Sequence, residues 1–235
     1  ENLLKNGVFN KNSNIQFGEG GAGTFSDGKL NTGTKSKHID TVLETFYSFG
    51  APEEILYDSK PHIGTDELKK VIVNMRRHLE NLGVKILFES KFTNFEKNAK
   101  NIVVFFENGA KEHKIECENL VLALGYSARE TFLTLYDKGL VFMQKPFSVG
   151  YRIEHKQKDI NKAQYGTESD KFLPPADYKL FHHLENGRTV YTFCMCPGGV
   201  VVPAFSDNGE ICTNGMSYHS RSGKNANSAV LVSVS

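Results

Sequence analysis

Neither sign of charge dominates this sequence: 28 lysines and arginines stand against 27 aspartates and glutamates, a formal net charge of +1. A global field that would draw the chain onto nucleic acid or an anionic membrane is thereby excluded. Long apolar runs are missing as well. Apolar runs such as residues 120–124 and 199–202 fall far short of the ~18–20 apolar residues that a membrane-spanning helix needs. Cysteine is scarce: Cys117, Cys194, Cys196 and Cys212 are too few for a disulfide framework in 235 residues, and no signal-peptide pattern opens the chain. These absences read together as a reduced, cytoplasmic protein. With 39% hydrophobic and 23% charged residues, disorder is excluded and the length allows one large domain or two small ones. The sequence starts at Glu1 without a methionine and ends inside a β-prone run, residues 229–235, so it reads as a piece of a longer chain.

What is present begins with glycine. Residues 14–36, around GEGGAGTFSDGKLNTGTKS, cannot hold a long helix or strand and read as a structured loop. Ile39, Val42, Leu43 and Phe46 then recur at helical spacing until Gly50-Ala51-Pro52. A second helix is expected after Thr65, with Asp66 and Glu67 in its first turn, a stripe of Leu68, Val71, Ile72, Met75, Leu79 and Leu82, and Gly83 as its stop. Alternation at Val84, Ile86 and Phe88 predicts a strand, followed by a β-meander over 92–95, 102–106 and 111–116 with Asn108-Gly109 as a turn. Leu120-Val121-Leu122-Ala123-Leu124 has the continuous apolar character of a strand buried on both faces of a parallel sheet. Gly125 ends it, and Ser127 and Glu130 have the capping-box spacing for a helix running to Gly139. Beyond Lys145 the pattern is mostly β: Phe147, Val149, Tyr151 and Ile153, then Tyr178, Leu180 and Leu184, then 189–196, with a hairpin at Asp207-Asn208-Gly209. The change of pattern near residue 140 predicts a domain boundary.

Two short motifs invite nucleotide readings and fail on context. Gly18, Gly20 and Gly23 satisfy G-x-G-x-x-G, but only residues 14–17 precede them where a full strand is required, and TFSDG is poor helix material. Gly23 to Lys29 satisfies G-x-x-x-x-G-K, yet Leu30 stands where a P-loop needs a hydroxyl for magnesium. The loop is either a cradle for an anion or cofactor, built from free backbone N–H groups, or a tight structural crossing. Asp27 and Lys29 within it favour a ligand.

Cys194 and Cys196, two apart on an expected strand, point to the same face, where a disulfide between them would be strained. Zinc would need C-x₂₋₄-C pairs or ordered histidines that the sequence lacks, so no metal site is expected. The FCMCPGG stretch reads as a strand running into a Pro-Gly-Gly turn, with one cysteine facing a pocket or both serving as buried filler. Arg152 and Glu154 lie opposite Tyr151 and Ile153; a solvated charged face is the plainer reading, and anionic substrate binding the sharper one.

The strings SNIQFGEGGAGTFSDGKLNT, GTDELKKVIVNMRRHLENLGVKILF, LALGYSARETF, KPFSVGYRIEH, YTFCMCPGG and TNGMSYHSRSGKNANSA, in this order, resemble the uncharacterised FAD-dependent dehydrogenases of bacteria. The likeness runs over essentially the whole chain, with Tyr126 and Glu130 standing where His and Asp are the family pattern. It implies an α+β to α/β fold: the remnant of a Rossmann-like FAD domain with a β-meander over residues 1–140, and a mostly antiparallel β substrate domain over 141–235. The first pyrophosphate loop would precede Glu1 and the last FAD-contacting elements would follow Ser235, so FAD would bind this chain alone weakly or not at all, and the chain alone would be inactive. By the same resemblance Gly20, Gly21, Gly23, Thr24, Phe25, Ser26, Asp27, Gly28 and Lys29 would run beside the FAD. Phe92 would meet the adenine, and Ala123, Leu124 and Gly125 would approach the cofactor at the end of the parallel strand. Arg152, Cys194, Cys196, Gly198 and Gly199 would form the substrate side, with Lys29, Cys194 and Cys196 as candidates for catalysis.

The function expected is the central and substrate-domain portion of an FAD-dependent oxidoreductase acting on a small-molecule substrate with an unidentified electron acceptor, without nucleic acid. The alternative is a non-catalytic ligand- or partner-binding module, which would leave the longer protein colourless.

Overall fold

A computed structural model describes residues 5–207 and 209–234. They divide into two compact units, one made of 1–78 with 145–235 and one of 79–144. One boundary between the units, at 144/145, lies close to the change of pattern near residue 140, while the glycine-rich loop and the two helices after it are grouped with the C-terminal β region. Bonds between distant segments tie them together: Thr65 N–H donates to Ser217 O at 3.0 Å and Gln16 Nε2 to Ala204 O at 2.6 Å.

In the first unit, residues Gly21–Phe25 form one 3₁₀ turn. Neither a strand before this turn nor an α-helix opening from it occurs among the described residues, consistent with rejecting the dinucleotide fingerprint. Helix α1 (Ile39–Ser48) and helix α2 (Thr65–Asn81) follow at the expected spacing. Gly50 stops α1, its N–H bonding Tyr47 O at 2.9 Å with φ at 99°. Ala51, Ile55, Ile63 and Val71 are buried together, with Leu30, Leu43, Phe46, Phe49, Leu68 and Met75 packed around them. That core seats the glycine-rich loop.

The C-terminal part of this unit holds strands β4 (Phe147–Lys156), β5 (Phe181–His183), β6 (Thr189–Cys196) and β9 (Asn225–Val234) in one antiparallel sheet of order β4-β9-β6-β5. Strands β7 (Val200–Pro203) and β8 (Thr213–Met216) pair as a separate hairpin. Its expected turn includes Asn208, which lies outside the described residues, as does Ser235 in the final β-prone run. Pairing at β5 is shorter than the alternation from Tyr178 to Leu184 predicts. Helix α4 (Gln157–Tyr165) has no counterpart in the sequence reading, because it carries no apolar stripe. Its first residue is fixed from outside: Gln157 N–H donates to Lys224 O at 2.9 Å, and its side-chain amide donates to Ala176 O at 2.9 Å.

The expected faces of β4 are reversed. Tyr151 is 85% exposed, whereas Arg152, expected on a solvated face, is half-buried and hydrogen-bonded.

The second unit contains the β-meander as expected: β1 (Ser90–Lys97), β2 (Ile102–Asn108) and β3 (Lys111–Cys117), antiparallel and in sequence order. Helix α3 (Arg129–Asp137) ends at Gly139, whose N–H bonds Tyr136 O at 2.8 Å. Its N-terminus differs from the capping-box expectation: Ala128 is the cap residue and makes no side-chain cap bond, and Glu130 pairs with Lys91 instead. The parallel strand expected at residues 120–124 is absent, and so is the strand at 84–88. A parallel strand buried on both faces needs hydrogen-bonded partner strands and elements packed over both of its faces. No described strand pairs with residues 120–124, and Val121 is 85% exposed. The fold shown is thus mixed α/β with antiparallel sheets. No helix among the described residues is long and apolar enough to cross a membrane.

Candidate functional site

Residues 27–30 leave the glycine-rich loop as an extended segment laid along residues 61–64. Ile63 N–H donates to Gly28 O at 3.0 Å, Gly64 N–H to Asp27 O at 3.1 Å and Leu30 N–H to Pro61 O at 2.9 Å. Gly28 has φ at 67°, and a Cβ there would stand 2.9 Å from Gly64 N, so this crossing requires glycine. Ser26 Oγ braces it, accepting from Gly28 N–H at 3.0 Å and donating to Gly23 O at 2.6 Å.

The crossing fixes Asp27 and Lys29. Asp27 is 0% exposed and is gripped by Arg221, whose Nε donates to Oδ1 at 3.0 Å and whose Nη2 donates to Oδ2. Lys29 Nζ lies 2.9 Å from Asp27 Oδ2 and donates to Met195 O as well. Burial alone would raise the Asp27 pKa. The Arg221 hydrogen bonds and the charges of Lys29 and Arg221 outweigh it, and the carboxyl is held below its ordinary value.

Met195 belongs to a break in strand β6. Its register with β9 slips between Phe193 and Cys196, and Cys194 has φ at 49°. The expectation that Cys194 and Cys196 share one face of a regular strand fails here, because this bulge interrupts the alternation. Cys194 O accepts from Arg152 Nη1 at 3.2 Å and from the Cys196 thiol at 3.3 Å. Arg152 Nη1 also donates to Asn227 Oδ1 at 2.8 Å. Cys194 is half-buried and Cys196 is 0% exposed; both are free thiols. Side-chain hydrogen bonding with Cys196, with the charges of Lys29 and Arg152, outweighs burial and holds the Cys194 thiol below its ordinary value. Its bond to Cys194 and its burial push Cys196 the other way, well above an ordinary thiol.

The structure therefore gathers Asp27, Gly28, Lys29, Arg152, Cys194 and Cys196, drawn from three segments far apart in sequence. Gly198 joins them through the turn after β6, its N–H donating to Gln157 Oε1 at 2.9 Å, and Gly199 lies close against Met216. Arg221 and Asn227 complete the cluster and were not singled out by sequence reasoning. No motif spacing marks them: Arg221 meets Asp27 across 194 residues, a pairing that only the fold creates.

Gly20, Gly21, Gly23, Thr24 and Phe25 sit in the turn before the crossing. Gly20 is packed tightly, since a Cβ would come within 2.2 Å of Ile72 Cδ1, whereas nothing lies within 4 Å of a Cβ placed at Gly18, Gly21 or Gly23. Thr24 Oγ1 is buried without a hydrogen-bond partner. Gly20 and Gly28 thus serve close packing, while Gly18, Gly21 and Gly23 have open space where a Cβ would stand. Phe92, on β1, and Ala123, Leu124 and Gly125, outside any strand, belong to the unit of residues 79–144.

Residues 146–235 match the family described as FAD-dependent protein, C-terminal domain-like. An uncharacterized protein of Clostridium beijerinckii is 47% identical over 237 residues, which cover 100% of this chain and 44% of that relative. The chain spans less than half the length of the curated relative it matches. The matched segment supplies Arg152, Cys194, Cys196, Gly198, Arg221 and Asn227, so the greater part of the cluster falls inside it. The open glycines and the unpartnered Thr24 hydroxyl fit the approach of a flat or anionic group to the loop, at Gly18 to Thr24 rather than at Gly28.

Proposed function

We propose that this chain is the substrate-side portion of an FAD-dependent oxidoreductase, a dehydrogenase of a small molecule, in a longer protein. The observation that carries the reading is the match of residues 146–235 to a family described as FAD-dependent, because that segment builds most of the charged and thiol cluster. Gly21, Gly23 and Thr24 would hold the cofactor at the loop. When bound, FAD supplies the capacity to take up a hydride or an electron pair.

The chain's own residues supply position and charge. Asp27, kept ionised by Arg221 and Lys29, fixes both cations in place. Lys29 and Arg152 favour a substrate with negative charge, and the buried Cys196 keeps one wall of the site apolar. The division into a cofactor part over 1–140 and a substrate part over 141–235, a separate electron acceptor and a cytoplasmic setting belong to this proposal.

The test is the visible absorption spectrum of the longer protein, recorded before and after incubation with FAD and after desalting. A flavin spectrum that stays with the protein is the expected result. A protein that stays colourless under both conditions overturns the proposal and favours a binding module without redox chemistry.

A further inference from the structure

We propose that Arg152 and Asn227 form a carboxylate-binding site, so that the ligand of this cluster is a small molecule carrying a carboxylate. As the substrate class of an oxidoreductase this rests on the reading above; as a binding site it rests on the geometry of this chain alone.

The chain holds Arg152 along one edge of its guanidinium. Nη1 donates to Cys194 O at 3.2 Å and to Asn227 Oδ1 at 2.8 Å. Strand β8 closes that edge, since a Cβ added to Gly215 would stand 2.6 Å from Arg152 Nη1 and 2.3 Å from Asn227 Oδ1. The other edge presents Nε and Nη2. Nε is buried without a hydrogen-bond partner, whereas Nη2 bonds no described residue and is not buried, so a ligand reaches this edge from its Nη2 end. Arg221 shows what such an edge takes: its own Nε and Nη2 grip the two oxygens of Asp27. Arg152 offers a second fork of the same kind.

The charges lead the same way. Asp27 is taken up by Arg221 and Lys29. Glu154, two residues along β4 from Arg152, accepts from Asn225 Nδ2 at 2.9 Å instead. No ion pair joins Arg152 to an acid among the described residues, and its guanidinium is half-buried. A charge drawn into the interior is costly unless it is paired. Lys29 adds to the excess, because its Nζ donates to Met195 O, the carbonyl next to the one that Arg152 bonds.

Asn227 is the second, independent observation. It is 0% exposed, and its Nδ2 has no partner. The bond from Arg152 to Oδ1 settles which amide atom is the oxygen, so Nδ2 is a buried donor that calls for an acceptor. The ligand brings a carboxylate to the Arg152 fork and an acceptor oxygen to Asn227. A flat group with two oxygens and one charge suits a partly buried edge better than a phosphate, which carries more charge out of water.

The experiment is isothermal titration of the longer protein with benzoate, with its neutral amide benzamide and with inorganic phosphate, near neutral pH and at low salt. Benzoate is expected to bind at least about tenfold more tightly than the other two. Arg152→Lys, which keeps the charge and loses the fork, should weaken benzoate by at least about tenfold. That variant also loses the bonds to Cys194 O and Asn227, so Asn227→Asp is the second. It has the same shape, keeps an oxygen for Arg152 Nη1 and turns the unpartnered donor into an anion, and benzoate should again weaken by at least about tenfold. No binding of benzoate, or equal binding of benzoate and benzamide, overturns the site on the unmodified sequence even where a variant does not fold. Benzoate binding unchanged in folded Asn227→Asp overturns it as well. Tighter binding of phosphate overturns the assignment of a carboxylate. The flavin test fails separately: a colourless protein that binds benzoate through Arg152 loses the oxidoreductase reading and keeps the site, whereas retained flavin without benzoate binding loses the site alone.

Discussion

A carboxylate with no exposed surface stands only if its surroundings replace the water it has lost, and Asp27 is in that position. Arg221 supplies two donors and Lys29 a third contact, so the group stays ionised in the interior. Removing one partner of a buried pair leaves the other charge uncompensated, which costs about 3–5 kcal/mol. Asp27→Ala should therefore lower the unfolding free energy by about that amount in urea titration, and a loss below about 1 kcal/mol would show that the pair does not join these segments. The pH dependence has a defined sign. Because the folded pKa lies below the ordinary 3.8, the stabilisation is fully present above that value and is lost as pH falls through the lower folded value. Asp27→Asn should flatten this acid limb. Asp27 and Lys29 were legible in the sequence as polar residues inside a glycine-rich loop. Arg221 was not, because nothing in its neighbours Ser220 and Ser222 distinguishes an arginine that enters the interior from one that stays in water.

At the scale of elements, the site depends on two turns whose backbones touch. A Cβ added to Gly198, where φ is 54°, would stand 1.7 Å from Arg221 O, and one on Gly223 would stand 2.3 Å from Gly198 O. The turn after β6 and the segment before β9 are thus locked together at the residue that carries the Asp27 partner. Gly198→Ala should combine backbone strain with a displaced Arg221, costing more than about 2 kcal/mol. Urea titration checks it, and a cost below about 1 kcal/mol would show that the two turns are not locked together. Strands β4 and β6 and the β-meander lie where their β-prone runs and bounding turn residues place them in the sequence. The run at 120–124 shows the limit of that reading. Its apolar character is compatible with a doubly buried strand, but hydrogen-bonded neighbours decide whether a strand forms, and no described strand supplies them. The β6 bulge was equally hidden, because a register slip depends on the partner strand β9 rather than on the FCMCPGG string itself.

For the molecule as a whole, the order of segments separates two kinds of contact. The unit of 1–78 and 145–235 is closed by bonds between residues far apart in sequence: Gln16 to Ala204, Thr65 to Ser217, Asp27 to Arg221 and Lys29 to Met195. The intervening residues 79–144 are organised by short-range pairing, with β1, β2 and β3 joined in sequence order by tight turns. Every residue of the charged and thiol cluster lies in the first unit. Replacing residues 79–144 by a flexible glycine–serine linker should therefore leave the four-stranded sheet intact, because β4, β9, β6 and β5 take their partners from one another. Lengthening or shortening a connection changes the closure entropy only slowly, by about 0.6 kcal/mol per doubling, so the linker itself is a small perturbation. The expected outcome is a cooperatively unfolding protein with the β-rich circular dichroism of the sheet. Loss of cooperative unfolding would mean that the inserted unit is needed for the first to fold.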